Sequence, residues 1–150
     1  MAIKIRLANI SDAGAACDVV RRSITKLCEL DHGNDPALVG DWLANKTPDN
    51  MMSWIANSHV VVAENDGRLV GVASMTNSGG ITLNYVAPEA RFRGISKGLL
   101  SELERTATER GLRACTLKST KTADRFYRDA GYIGQPGGPE GVLWKPLSSQ

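Results

Sequence analysis

Residues 88–106 read PEARFRGISKGLLSELERT and set three cations (Arg91, Arg93, Lys97) and two glycines (Gly94, Gly98) where an apolar-periodic run begins. A helix start leaves several backbone N–H groups unpaired and carries partial positive charge, which makes it an anion site. Glycine at 94 lets a phosphate approach the backbone, and the cations add charge-assisted donors. The chemistry is that of a di- or polyphosphate cradle. Neither GxxxxGK[ST] nor GxGxxG is present, because the glycines lie four apart as GISKG, so P-loop and Rossmann nucleotide enzymes are disfavoured. The competing reading is a solvated basic turn whose glycines serve geometry alone.

The elements that must position this loop follow from periodicity and punctuation. IKIRLA (3–8) alternates as a strand, and Ser11 and Asp12 cap a helix whose apolar face runs Ala16, Val20, Ile24, Leu27 and Leu30. DHGND (31–35) breaks it. Asp35-Pro36 and Thr47-Pro48 each read as an N-cap followed by proline, opening short helices at 36–45 and 48–57. HVVVAE (59–64) and RLVGVASMT (68–76) flank the hairpin signal Asn65-Asp66-Gly67, and ITLNYVAP (81–88) supplies a third strand. Ile95, Leu99, Leu100, Leu103 and Ala107 mark one helical face that Gly111 ends. LRACTLK (112–118) is a strand, 120–130 a helix stopped by Gly131, and GVLWKPL (141–147) closes the sheet after the PGGPEG turn. Consecutive strands imply antiparallel pairing, and the strand–helix–strand unit at 81–118 implies one parallel pair with a right-handed crossover. The expected class is mixed α+β: a mostly antiparallel sheet of six to seven strands flanked by four to five helices, in one domain over 1–150.

Bulk properties narrow the function. At 150 residues, with 42% hydrophobic and 23% charged content, the chain has the composition of a soluble globular domain. A net charge of +2 is too small to argue for nucleic acid. No apolar run approaches the roughly 20 residues of a membrane span, and the alternating N-terminus is not a signal peptide. Three cysteines without CxxC spacing and two distant histidines argue against a zinc site. A cytoplasmic protein with reduced thiols, no metal and no nucleic-acid or membrane partner is expected.

VAPEARFRGISKGLL resembles motif A of the GNAT superfamily, the GCN5-related N-acetyltransferases, whose loop reads R/Q-x-x-G-x-G/A; here it runs Arg91-Phe92-Arg93-Gly94-Ile95-Ser96. LNYVAP matches the strand before that loop, and the order of elements follows the family over nearly the whole chain. Serine at 96 departs from the pattern, but it is small and its hydroxyl can itself bond a phosphate. The resemblance implies acetyl-CoA as cosubstrate. Its pyrophosphate would sit on the N–H groups of residues 92–97, including Lys97, with Arg91 and Arg93 adding charge. The pantetheine arm would pair along Asn84, Tyr85 and Val86, where the family's fourth and fifth strands splay.

A second stretch, STKTADRFYRDAGY (119–132), resembles the family's late helix, A-x-x-F-Y-x-x-x-G-F/Y, through Ala123, Phe126, Tyr127, Gly131 and Tyr132. Thr120 takes a position often held by a cofactor-contacting asparagine. The resemblance makes Tyr127 the general acid that protonates the departing thiolate, and places an oxyanion-binding N–H near Tyr85 or Val86. Without the resemblance, Tyr127 reads as a core tyrosine.

The base that deprotonates the acceptor is not assigned. The two relevant strands offer Asn84, Cys115 and Thr116 but no carboxylate, and the helical flap offers Glu29, Asp31 and His32. Cys115 lacks the neighbouring base a nucleophilic thiolate needs. Trp42, Met51, Met52, Trp54 and Trp144 either line an acceptor pocket or belong to the core. The leading expectation is an N-acetyltransferase acting on a primary amine of a small molecule or peptide by direct attack in a ternary complex, with a homodimer common in the family. The alternative is a catalytically inactive GNAT-fold module that binds an acyl-CoA or mediates protein contacts.

Overall fold

The computed structural model describes residues 3–135 and 137–147. Its strands are β1 (Ile3–Leu7), β2 (His59–Asn65), β3 (Arg68–Met75), β4 (Gly80–Val86), β5 (Ala114–Lys118), β6 (Ile133–Gly134) and β7 (Val142–Pro146), in the spatial order β1-β2-β3-β4-β5-β7-β6. Every neighbouring pair is antiparallel except β4 and β5. The mixed α+β class expected from the sequence is therefore correct. Asp66 at φ 53° and Gly67 at φ 81° form the two-residue turn between β2 and β3, whose paired positive φ values match the right-handed twist of the strands.

Six α-helices accompany the sheet among the described residues: α1 (Ala13–Leu27), α2 (Glu29–His32, a single turn), α3 (Pro36–Leu43), α4 (Pro48–Asn57), α5 (Ile95–Glu109) and α6 (Asp124–Asp129). β3 is buried at every residue from Leu69 to Met75, which requires cover on both faces; α1 supplies one and α5 the other. At Gly71 a Cβ would lie 2.9 Å from both Ile95 and Leu99, so the missing side chain lets α5 settle on the sheet. The apolar face foreseen for α5 is buried throughout. The caps at Asp35 and Thr47 form as expected, accepting from the N–H of Ala37 at 2.9 Å and of Asn50 at 3.2 Å. None of the described helices is long and apolar enough to cross a membrane.

Four local expectations are corrected. The first helix ends at Leu27, because Cys28 leaves helical geometry at φ −106°, ψ 30°, and Leu30 stands 74% exposed instead of extending the buried face. Asp12 takes the N-cap position as expected, but its carboxylate reaches back to accept from the Asn9 N–H at 2.8 Å and makes no cap bond to the helix, and Ser11 lies inside a 3-10 turn. The late helix is shorter than 120–130, since the Thr120 hydroxyl accepts from the Ala123 N–H and holds 121–123 as a turn. Finally, β7 does not close the sheet; it runs between β5 and the edge strand β6. Pro136 of the turn between them lies outside the described residues.

Candidate active site

The site begins with a miscount in the ladder. Ser74 pairs with Leu83 and Met75 with Ile81, so Thr82 is an extra residue on β4 and makes a β-bulge. Below the bulge β4 pairs with β5 only at Gly80↔Thr116 and Ile81↔Leu117. Beyond it the strands part, and a cavity of about 170 Å³ fills the wedge. Leu83 to Val86 form one wall, Leu117 and Lys118 another, and Tyr127 closes the side. The Ala87 N–H donates to the Val70 carbonyl at 2.8 Å. By the alternation of an antiparallel ladder, the N–H groups of Asn84 and Val86 then point away from β3 into the wedge, whereas that of Tyr85 points back.

The helix-start loop abuts this wedge through Val86 and Ser96, which border both it and a neighbouring, mainly apolar cavity of about 510 Å³. Gly94 precedes α5 at φ 76°, ψ 12°. A Cβ there would meet nothing within 4 Å, so the backbone conformation rather than crowding within the protein is what asks for glycine. Phe92 also has positive φ, 66°, while its ring is 92% exposed and lies 4.9 Å from the Arg91 guanidinium carbon. Arg91, Arg93 and Lys97 are exposed, and Ile95 turns inward to the core. Gly98 has a different duty: a Cβ there would lie 3.0 Å from Ile5, so its absence lets α5 approach β1.

Tyr127 is 7% exposed, held edge-on between Phe126 at 5.2 Å and Tyr132 at 5.7 Å. Burial pushes its phenol above the ordinary value, and a hydrogen bond with the Asn84 side chain works the other way. Asn84 Oδ1 also accepts from the Ser96 hydroxyl at 3.3 Å. Asn84 thus ties the strand to the loop through Ser96 and also acts on the Tyr127 phenol, a role the sequence did not suggest. Burial likewise raises the Tyr85 phenol, with Trp42 nearby acting the other way. Thr120 lines the wedge, although its hydroxyl is engaged in capping the following turn.

None of the flap residues weighed as bases lines the wedge. Asp31 accepts from the backbone N–H groups of Lys121 at 2.6 Å and Thr122 at 3.2 Å, fastening α2 to the loop before α6. His32 is buried, with Nε2 2.7 Å from the Ile24 carbonyl and Nδ1 accepting from the Asn34 N–H at 2.9 Å, the pattern of a core histidine with both ring nitrogens engaged. Glu29 is exposed and accepts from the Asn34 side chain. Cys115 is fully buried and its thiol is pushed up to about 11 by burial, against nucleophilic use. Met51 is core, Met52 is 37% exposed, Trp42 and Trp54 pack on the core's rim, and the indole N–H of Trp144 is buried without a partner. Cys28 and Ser23 line the wedge without any sequence signal.

A family model described as an acetyltransferase (GNAT) domain matches residues 36–144. The chain is 27% identical over 145 residues to the histone acetyltransferase TAP1 of Glycine max, an alignment covering 92% of this chain and 58% of that protein. It therefore spans little more than half of that relative. A GCN5-related N-acetyltransferase from Rhodopseudomonas palustris shares the fold at TM-score 0.87 and 21% identity, covering 98% of this chain and 97% of the other. The PaiA N-acetyltransferase from Thermoplasma acidophilum, solved in complex with coenzyme A, does so at TM-score 0.83 and 19% identity, covering 98% and 100%. With the wedge, the loop and the family match in agreement, the chain belongs to the GNAT acetyltransferases, a family whose cosubstrate is acetyl-CoA.

Proposed function

We propose that residues 1–150 act as one acetyl-CoA-dependent N-acetyltransferase domain, passing the acetyl group to a primary amine of a small molecule or peptide by direct attack in a ternary complex. The observation that carries this reading is the wedge itself. It presents two inward-facing backbone N–H groups, at Asn84 and Val86, opposite a buried tyrosine, beside a helix start carrying three exposed cations. Acetyl-CoA, when bound, supplies the activated acyl group. The N–H groups of residues 92–97, with Arg91, Arg93 and Lys97, hold its pyrophosphate, and Thr120 borders the arm that reaches into the wedge. Val86, rather than Tyr85, donates to the thioester oxygen as charge develops there, because the ladder's alternation turns the Tyr85 N–H toward β3.

Tyr127 then gives its proton to the leaving thiolate. Burial keeps the phenol protonated. The neighbouring Asn84 side chain works the other way and favours the phenolate. No carboxylate lines the wedge among the described residues, so the acceptor's proton leaves to water. Similarity to a histone acetyltransferase supports a peptide among the acceptors. The missing carboxylate favours a second reading, an acyl-CoA-binding module without turnover.

Calorimetric titration with acetyl-CoA, dephospho-coenzyme A and ATP tests binding, and thiol release with an amine panel tests turnover. Tight binding of acetyl-CoA with amine-dependent thiol release is expected. Binding without release would leave the non-catalytic module, and no binding would remove both readings.

A further inference from the structure

A second cavity, of about 310 Å³, opens beside the bulge and is lined by Asn45, Lys46, Trp54, Ser58 and Thr76. It shares Thr82 and Leu83 with the wedge, so the bulge is the common wall of the two spaces. Lys46 is the one unusual group in it. The residue is 9% exposed, and its Nζ donates to Asn45 Oδ1 at 2.6 Å and to the Trp42 carbonyl at 3.3 Å. Both partners are neutral. Among the described residues no carboxylate pairs with Lys46, and burial alone lowers its pKa, with no nearby anion to raise it.

A buried cation without an anion is costly. The Trp42 carbonyl belongs to the last turn of α3, whose partial negative charge offsets only part of a full ammonium charge. An ammonium also has three donors, of which two are used here. We infer that this cavity is an acceptor subsite in which Lys46 binds a carboxylate of the amine substrate. Trp54 and Leu83 give it apolar walls, and Thr82 leads from it into the wedge. The acceptor class is accordingly an amine that carries its own carboxylate, such as an amino acid or the end of a short peptide. The inference rests on the acetyl-transfer reading for the identity of the substrate, but not for the existence of the anion site.

The test uses product mimics, so that binding is read without turnover. N-acetylglycine, N-acetylglutamate and N-acetylphenylalanine, each beside its α-carboxamide, are titrated calorimetrically into protein saturated with coenzyme A. At least one carboxylate is expected to bind roughly ten-fold or more tightly than its amide, the scale of a hydrogen bond to a charged group. Lys46→Met should bring that ratio close to one while leaving the coenzyme A dissociation constant unchanged, and Lys46→Arg should preserve part of it. Equal binding of acids and amides, binding of neither, or an intact ratio in Lys46→Met overturns the subsite. Should Lys46→Met fail to fold, the wild-type ratio and Lys46→Arg decide. Should coenzyme A fail to bind, the acetyl-transfer reading falls, and the same pairs titrated into unloaded protein still decide the role of Lys46.

Discussion

The helix-start loop and the wedge between β4 and β5 share Val86 and Ser96 as a boundary, yet they are made of opposite materials. The loop presents exposed side chains, with Arg91, Arg93 and Lys97 in water and Phe92 almost fully uncovered. The wedge presents backbone N–H groups and a phenol that is nearly buried. Charges in water attract from a distance but are screened by salt. Dipoles in a dry, preorganised wall act only on what reaches them, and there they act strongly. Under the proposed function, that difference would assign affinity to the first region and rate to the second.

The largest expected effect tests that division at the wedge. Tyr127→Phe should lower kcat roughly a hundred-fold or more and leave the dissociation constant of acetyl-CoA unchanged, read by thiol release and calorimetry. Losses of similar size in both would erase the division. The same comparison has a pH form. Because burial raises the Tyr127 phenol, the acid stays protonated past the ordinary phenol value of about 10. The wild-type kcat should therefore show no alkaline fall below that pH; a fall centred near pH 8 would point to another acid.

A smaller effect is expected from the loop. Gly94→Ala places a Cβ at φ 76°, a strain of about 1–2 kcal/mol. It should appear as a few degrees in Tm or up to roughly ten-fold in acetyl-CoA affinity, with kcat at saturation preserved. An unchanged Tm and affinity would mean the loop relaxes freely. The smallest is a salt effect. Raising ionic strength from 0.05 to 0.5 M should weaken acetyl-CoA binding several-fold through screening of the exposed cations, without altering kcat at saturation. A salt-insensitive dissociation constant would show that the backbone alone holds the cosubstrate.

The loop was legible in the sequence because each of its parts is a residue type: cations, a glycine at positive φ, and the apolar stripe of the helix it opens. The same holds for the Asp66-Gly67 turn and for the caps at Asp35 and Thr47. The wedge was legible only through the family resemblance. ITLNYV looks the same with or without a bulge, since one inserted threonine changes no propensity. The break at Cys28 carries neither glycine nor proline, so the apolar period ran on through it to Leu30. Lys46 carries no local signal in the sequence; its burial depends on how α3 and α4 fold over it. Asn84 read as one strand position among three, because its contacts with Ser96 and Tyr127 are made by elements far along the chain.

The bulge at Thr82 has a consequence that no side-chain inventory would suggest. A strand has two edges, and the parity of a residue's position decides which edge its amide serves. Had Thr82 itself taken the place opposite Ser74, with no bulge, the parity of every later residue would shift by one. The N–H groups of Asn84 and Val86 would then face β3, and that of Tyr85 would turn outward. Deleting Thr82, by contrast, leaves Leu83 opposite Ser74 and the outward amides where they are. The direction of the wedge's amides is thus a matter of counting, set by which residue lies opposite Ser74 and not by the residue types the strand contains.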